Sequence, residues 1–149
     1  MERTMVTLNR LISGAFNDMS RSEQQAIRAG GFTDVSVNEA HRVDAIGVYL
    51  PKTMSAVAEK LDITMGTLTV SINHLVKKGY VNKVKSETDR RVFMLSLTEK
   101  GKGLFKVHQK FHFDMVKSLI VNLSDYEADM FIEALSCLNQ FLKKGSALN

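Results

Sequence analysis

The sequence is poor in the residues that mark several protein classes. Its 149 residues include one cysteine, one proline and no tryptophan. Cys137 alone cannot close an intramolecular disulfide, which excludes a disulfide framework. No apolar run approaches the roughly 20 residues that span a bilayer, and no apolar signal segment is seen at the amino terminus. We therefore expect a cytoplasmic protein of one domain, long enough to bury a core and without membrane contact.

Charge is unevenly distributed along the chain. The formal net charge is +4, with 44% hydrophobic and 24% charged residues, as is typical of a globular domain. Between Lys52 and Lys102, ten basic residues face five acidic ones, which gives this segment +5 and leaves −1 for the rest. A basic segment between nearly neutral flanks favours a polyanionic partner, although a solvated basic surface has the same composition.

Apolar spacing and capping residues predict the helices. Steps of three and four predict a first helix that ends near Arg28, before two glycines. The capping box formed by Ser36 and Glu39 predicts a second helix from Val37 to about Tyr49. Two short helices over 54–61 and 64–78 follow, with Thr64 as the N-cap of the second.

The remaining segments are a hairpin and two long helices. Alternating runs at 81–85 and 92–97 predict a two-stranded hairpin. Thr98 caps a long helix, and a capping box at 124–127 opens the last one, where Cys137 is expected to be buried. The fold class is mainly α (α+β): a winged helix-turn-helix lobe at 37–102, with dimerisation helices at 1–35 and 103–149, in a single domain over 1–149.

Two motifs carry a resemblance to a known family. Asp89-Arg90-Arg91 lies at the hairpin tip, and Leu95-Ser96-Leu97-Thr98-Glu99-Lys100-Gly101 follows. At this spacing from the helix-turn-helix, they resemble the MarR family of bacterial transcription regulators over almost the whole chain. Segments 39–44, 65–67, 86–91 and 108–112 are similar to its FabT branch, which represses fatty-acid synthesis genes. The resemblance implies a homodimer on an inverted repeat, with long-chain acyl-acyl carrier protein as corepressor.

The predicted recognition helix lacks arginine and lysine before Lys77, so bidentate guanine contacts are not expected from it and A·T-rich sites are favoured. Arg91 is expected in the minor groove with Asp89 orienting it; the alternative is a surface ion pair. Phosphate contacts are assigned to Lys77, Lys78, Lys85 and Arg90. The other residues expected at the DNA are Thr53, Thr64, Met65, Thr67, Thr69, Val70, Asn73, His74 and Ser86.

Histidines suggest an alternative within the family. His108 and His112 are four residues apart on one helix, a spacing that can hold one metal ion. His41 could join them, with an oxygen from Glu39 or Asp114, which would make a zinc-responsive repressor. The same histidines also fit a hydrogen-bonded core without metal, and we expect no cofactor.

The effector and the dimer follow from apolar residues. Under the acyl interpretation, a tunnel is lined by Phe16, Met19, Phe32, Ala45, Val48, Phe111 and Met115, which could equally be core. Apolar surface on the terminal helices predicts a two-fold dimer. We find no nucleophile elbow or phosphate-binding loop, so we expect no enzyme. An architectural nucleic-acid-binding protein without effector is the alternative outside the family.

Overall fold

The computed structural model describes residues 1–146, with side chains through Lys144. The described residues form two compact units, one over Met1–Phe111 and one that begins at His112. All strands assigned in the described residues lie in the first unit. Among these residues, none of the helices combines the length and apolar character needed to cross a membrane.

The first two helices begin where local signals predict. Helix α1 spans Glu2–Ala29 and helix α2 spans Val37–Ile46. The predicted capping box is present at α2: the Ser36 hydroxyl accepts from the Glu39 backbone N–H, and the Glu39 carboxylate accepts from the Ser36 backbone N–H. These two hydrogen bonds satisfy donors that a helix start otherwise leaves unpaired.

Helix α2 is shorter than predicted. It ends at Ile46, because Gly47 adopts a φ of 73° that residues with a Cβ rarely take. The Gly47 N–H still bonds to the Val43 carbonyl and closes the last turn. The prediction that α2 reaches Tyr49, ahead of Pro51, was therefore wrong.

The helix-turn-helix consists of helix α3, Met54–Leu61, and helix α4, Met65–Lys77. Each has a threonine N-cap, Thr53 for α3 and Thr64 for α4, whose hydroxyl accepts a backbone N–H of the first turn. Asp62 has a φ of 53° and turns the chain between the two helices. Both helices thus lie close to their predicted bounds.

The sheet has three strands instead of two. Strands β1 (Lys52–Thr53), β2 (Val81–Lys85) and β3 (Phe93–Leu97) are antiparallel, in the order β1-β3-β2. Lys83 pairs with Leu95 across β2 and β3. The prediction missed β1 because two residues show no alternation, and their strand character comes only from pairing with β3.

The core lies between the sheet and α2, α3 and α4. Leu68, Ile72 and Leu75 are fully buried on one face of α4, so the opposite face of α4 points away from the core. Tyr80, which follows α4, is also fully buried, and its hydroxyl donates to Asp34 at 2.5 Å. This packing holds α4 in a fixed position on the sheet.

Two long helices complete the described chain. Helix α5 spans Glu99–Ile120 and helix α6 spans Asp125–Ser146. In α5, the Thr98 hydroxyl accepts from the Gly101 N–H at 3.0 Å, as predicted. The predicted capping box at the start of α6 is also present. Cys137 is exposed in the single chain, so its predicted burial is not seen there.

Candidate nucleic-acid interface and histidine cluster

The outer face of α4 carries side chains that leave the core. Val70 is 59% exposed and Met65 is 47% exposed, which is high for apolar residues. Asn73, His74 and Lys77 are also exposed on this helix. The structure therefore brings these five predicted contact residues to one exposed helix, in a size and shape that fits a major groove.

Several predicted hydroxyl contacts already have intramolecular partners. Thr53 accepts from the Ala56 N–H at 3.1 Å, and Thr64 accepts from the Thr67 N–H at 3.2 Å. The Thr64 and Thr67 hydroxyls lie 2.9 Å apart. These threonines hold the helix starts in place, which is a structural use beside any contact with DNA.

Thr69 is bonded within its own helix. Its hydroxyl donates to the Met65 carbonyl at 2.7 Å. The Thr69 oxygen can therefore act only as a hydrogen-bond acceptor toward another molecule. In the turn that follows β2, the Ser86 and Thr88 hydroxyls lie 3.0 Å apart. Both predicted contact residues are therefore fixed by neighbours.

The wing consists of strands β2 and β3 and the connecting residues 86–92. The Asp89 carboxylate accepts from Arg91 Nε and from a terminal guanidinium nitrogen, both at 3.2 Å, and from the Arg91 backbone N–H at 3.0 Å. The hydrogen bonds from Arg91 lower the pKa of Asp89. The Arg91 side chain is 91% exposed. The predicted pairing is present, and the Arg91 guanidinium remains exposed on the wing.

Lys83 contacts the predicted DNA-binding residue Asn73, although the sequence prediction assigned only Lys85 of β2 to DNA. The Lys83 ammonium donates to Asn73 Oδ1 at 3.2 Å and lies 4.8 Å from the centre of the Phe93 ring. It also borders a cavity of about 260 Å³, between the first turns of α3 and α4 and the wing, to which Arg91 contributes. The link is not visible in sequence, since ten residues separate Lys83 from Asn73.

Lys78, a predicted phosphate contact, has a carboxylate partner within the protein. Its ammonium donates to both carboxylate oxygens of Glu39, at 2.7 and 2.9 Å. Burial by itself raises the pKa of Glu39, but the hydrogen bonds from Lys78 and Ser36 outweigh it and lower the pKa. The ion pair ties α2 to the end of α4, so Lys78 is occupied within the protein. The histidines approach a different carboxylate, that of Glu23, and Glu39 is not among the grouped candidate ligands.

A carboxylate and two imidazoles meet inside the first unit. Glu23 of α1 and His108 of α5 have side chains only 2% and 4% exposed. Glu23 Oε1 lies 2.6 Å from His108 Nε2 and 2.9 Å from His41 Nε2. One ligand atom from each of these three residues lies within 4.8 Å of the others, close enough to converge on one ion. We refer to Glu23, His41 and His108 as the histidine cluster.

The cluster continues to a second carboxylate. His108 Nδ1 lies 3.7 Å from Asp44 Oδ1, and the Gln109 amide donates to the same oxygen. Burial alone would lower the pKa of His108, but the carboxylates of Asp44 and Glu23 outweigh burial and raise it. His108 in turn lowers the pKa of Asp44. A carboxylate behind the second ring nitrogen orients an imidazole as it does in many metal sites.

Glu23 is the candidate ligand that the sequence prediction did not include. It continues the apolar stripe of α1, four residues after Met19 and four before the buried Ile27. A charged residue on such a stripe must be paired when it is buried. The position of Glu23 on this apolar stripe therefore indicated a buried carboxylate with a partner, although it did not identify the histidines. His112 follows His108 by one turn of α5 and remains a predicted ligand.

The predicted effector residues occupy different environments. Ala45 is buried in the core, while Phe32 and Val48 pack against it. Phe16 is exposed on α1, and Met19 and Phe111 are half-buried. Met115 lies in the second unit and is half-buried. The assignment of these residues to an effector pocket stays a prediction.

Comparisons with known proteins agree on one kind of protein. The profile of the family "Transcriptional regulator SarA/Rot" matches residues 47–108. An uncharacterised HTH-type transcriptional regulator of Bacillus subtilis, YfiV, is 34% identical over 91 residues, which cover 60% of this chain and 56% of that protein. The HTH-type transcriptional repressor YetL of the same species is 30% identical over 81 residues, which cover 54% and 48%. The chain spans about half the length of these curated relatives.

The decisive similarity is to a solved structure. Streptococcus pneumoniae FabT in complex with DNA is 37% identical, with a TM-score of 0.84, and the match covers 94% of this chain and 98% of that one. The chain belongs to the MarR family of transcriptional regulators. The MepR–DNA complex of Staphylococcus aureus, at 20% identity and a TM-score of 0.69 over 91% and 96% of the chains, shares the fold.

MarR-type regulators bind DNA, and so does this chain by its family. The predicted family and the predicted mainly α, winged-helix fold are both confirmed. The residues that contact DNA are not tested by the comparisons, so their roles stay predictions.

Proposed function

We propose that this MarR-type regulator is a cytoplasmic, sequence-specific repressor of fatty-acid synthesis genes, with long-chain acyl-acyl carrier protein as corepressor. The single observation that supports it most is the similarity to FabT over nearly the full length of both chains. The motif resemblance to the FabT branch, around Asp89-Arg90-Arg91 and in 108–112, supports the same assignment.

The protein acts as a homodimer in this proposal. Apolar side chains on α1, among them Met5, Leu8 and Leu11, are more than half exposed, as are Ile132 and Phe141 on α6. Exposed apolar surface of this extent on long helices favours burial against a second copy of the chain. A two-fold dimer would present two copies of α4 to an inverted repeat, about 34–36 Å apart on one side of the duplex.

The test is an equilibrium titration of fluorescent promoter DNA from fatty-acid synthesis genes, with and without acyl-acyl carrier protein. We expect specific binding that long-chain acyl carrier strengthens. Because each buried CH₂ contributes roughly 0.8 kcal/mol, two additional carbons should tighten carrier binding by about tenfold until the pocket is full. Equal effects of short and long chains would refute acyl recognition, and Phe16, Met19 and Met115 would then be structural residues.

The histidine cluster favours a second candidate function, a zinc-responsive repressor. Two imidazoles and one carboxylate are a ligand set that Zn²⁺ accepts. The spacing of His112, four residues after His108 in the sequence, makes it the predicted fourth ligand. In the structure, both imidazole nitrogens lie on one oxygen of Glu23, so a bound ion would replace two hydrogen bonds that share an acceptor. The Asp44 carboxylate behind His108 would orient that ligand.

Zinc titration without DNA tests this candidate independently. Wild type should bind about one zinc per chain. His108→Ala should weaken zinc affinity by at least tenfold, because loss even of a group that only orients a ligand typically weakens metal binding about 10- to 100-fold. His74→Ala is the matched control, because His74 lies on α4 and outside the cluster. Equal zinc binding by wild type and His108→Ala would eliminate the zinc site, while leaving the acyl proposal in place.

A further inference from the structure

Asn73 occupies the outer face of α4 with its amide oxygen engaged. Lys83 Nζ, from the neighbouring strand β2, lies 3.2 Å from Asn73 Oδ1. An ammonium group is a donor without acceptor capacity, so it fixes which end of the amide faces the strand. The Asn73 oxygen must point to Lys83, and its NH₂ group points away.

Lys83 is itself held in place. Its ammonium lies 4.8 Å from the centre of the Phe93 ring, on the strand paired with β2. An ammonium over an aromatic face is attracted by the ring quadrupole. The lysine is half-buried, whereas Lys85 two residues later is exposed. The two lysines of this strand are thus in different environments, one packed between a ring and an amide and the other free of that packing.

From this geometry we propose that Lys83 is a positioning residue for base recognition: it sets Asn73 to present its NH₂ group to the major groove. This inference rests on the proposed sequence-specific function. An outward NH₂ group donates to acceptors such as purine N7, guanine O6 or thymine O4, and it meets no acceptor on the major-groove edge of cytosine, which offers N4–H₂. An unrestrained asparagine would instead pair with adenine through both its oxygen and its nitrogen.

The proposal separates two uses of lysine in β2. Lys83 sets base preference and adds little to the phosphate contacts, because its ammonium is turned to Asn73 and Phe93. Lys85 contacts phosphate and sets no preference. Phosphate contacts appear as a salt dependence of binding, with a slope close to one unit per contact, whereas base contacts appear as discrimination between sequences.

The experiment selects DNA from a random duplex library with the full-length wild type, Asn73→Ala, Lys83→Met, Lys83→Arg and Lys85→Met, and then measures the salt dependence of binding to the wild-type consensus. Asn73→Ala and Lys83→Met should lose discrimination at the same base pair of each half-site. We expect a change of about 5- to 150-fold for Asn73→Ala, as for a good base contact. Lys83→Arg, which retains N–H donors, should keep the wild-type base preference at that position.

The salt slope distinguishes the outcomes. Lys83→Met should keep the wild-type slope, while Lys85→Met should keep the base preference and lower the slope by about one unit. A Lys83→Met variant with unchanged preference and a slope lowered by one would overturn the proposal, since Lys83 would then be a phosphate contact. If wild type enriches no sequence, the proposed sequence-specific function fails. If it does enrich one and Lys83→Met enriches the same one, only the positioning role fails. Circular dichroism of each variant confirms that it is folded.

Discussion

Gly101 gives a sharp test of how α5 packs on the winged-helix lobe. It lies in the first turn of α5 and is buried. A Cβ added there would lie 2.1 Å from the Tyr80 carbonyl oxygen and 3.3 Å from Leu97 Cβ. The Tyr80 oxygen cannot easily retreat, because it accepts the Thr98 backbone N–H at 3.1 Å and lies 3.2 Å from the Thr98 hydroxyl. Gly101→Ala must therefore displace the start of α5 from the turn after α4.

The energetic terms have different signs. Overpacking a well-filled core costs about 1–3 kcal/mol, and weakening two hydrogen bonds costs about 0.5–1.5 kcal/mol each. Alanine regains roughly 1 kcal/mol of helix propensity over glycine. The expected net loss in the free energy of unfolding is thus about 1–5 kcal/mol for Gly101→Ala, a large part of the roughly 5–15 kcal/mol that stabilises a typical domain.

Urea denaturation measures this loss in the free energy of unfolding. All variants are compared at one protein concentration, because the stability of the proposed dimer depends on concentration. Gly66→Ala is the matched control: it is also in a first helical turn, and its nearest atom would be Thr64 Oγ1 at 4.0 Å. We expect that control to match wild type or to gain up to about 1 kcal/mol. A Gly101→Ala protein as stable as wild type would contradict the close approach of α5 to Tyr80.

Three further variants test the lobe. Arg91→Ala should weaken specific DNA binding by about 1–3 kcal/mol in an anisotropy titration, with the proposed dimer unchanged in size-exclusion chromatography; undiminished affinity would remove the wing from recognition. Lys77→Ala should weaken binding to all sequences alike and lower the salt slope by about one unit, and a loss confined to one sequence would make Lys77 a base reader. Asp34→Asn should lower the free energy of unfolding by about 1 kcal/mol at pH 7. This value already allows for solvent screening, because the Asp34 side chain is half-exposed. The Tyr80 hydrogen bond lowers the pKa of Asp34 in the folded state. The stabilisation by the Asp34 carboxylate is therefore fully present above the unfolded-state pKa of about 3.9, and it is lost as the pH falls through the folded-state pKa. An equal deficit of the Asp34→Asn variant at pH 7 and at pH 2.5 in urea titrations would contradict this linkage.

Helix starts were predictable because their signals are local. The Ser36–Glu39 box and the Thr64 cap require only residues three apart in sequence, and both are formed as expected. Strand β1 was not predictable, since its two residues gain strand geometry by pairing with β3, more than 40 positions later. The end of α2 was missed because proline was weighed above glycine, whereas Gly47 ends the helix first.

The histidine cluster shows a similar limit. The spacing of His108 and His112 follows from the helical period and could be read directly. The carboxylate between His108 and His41 comes from α1, 85 positions before His108 in the chain, so only its place on the apolar stripe marked it. Glu39, which was considered as an oxygen ligand beside Asp114, is instead paired with the Lys78 ammonium in the structure.

The exposed residues of α4 show why a helix face can be predicted from sequence while the hydrogen-bonding capacity of its side chains cannot. Periodicity places Val70, Asn73 and Lys77 opposite the buried side of α4, and the structure keeps them exposed. The donors and acceptors that each side chain keeps for another molecule depend on its hydrogen bonds within the protein. The Thr69 hydroxyl already donates to the Met65 carbonyl, and Asn73 Oδ1 already accepts from Lys83. In the proposed function, base recognition therefore depends on the donors, acceptors and apolar atoms of this face that have no intramolecular partner. Altering an intramolecular partner such as Lys83 should therefore change base preference as effectively as altering the reading residue itself.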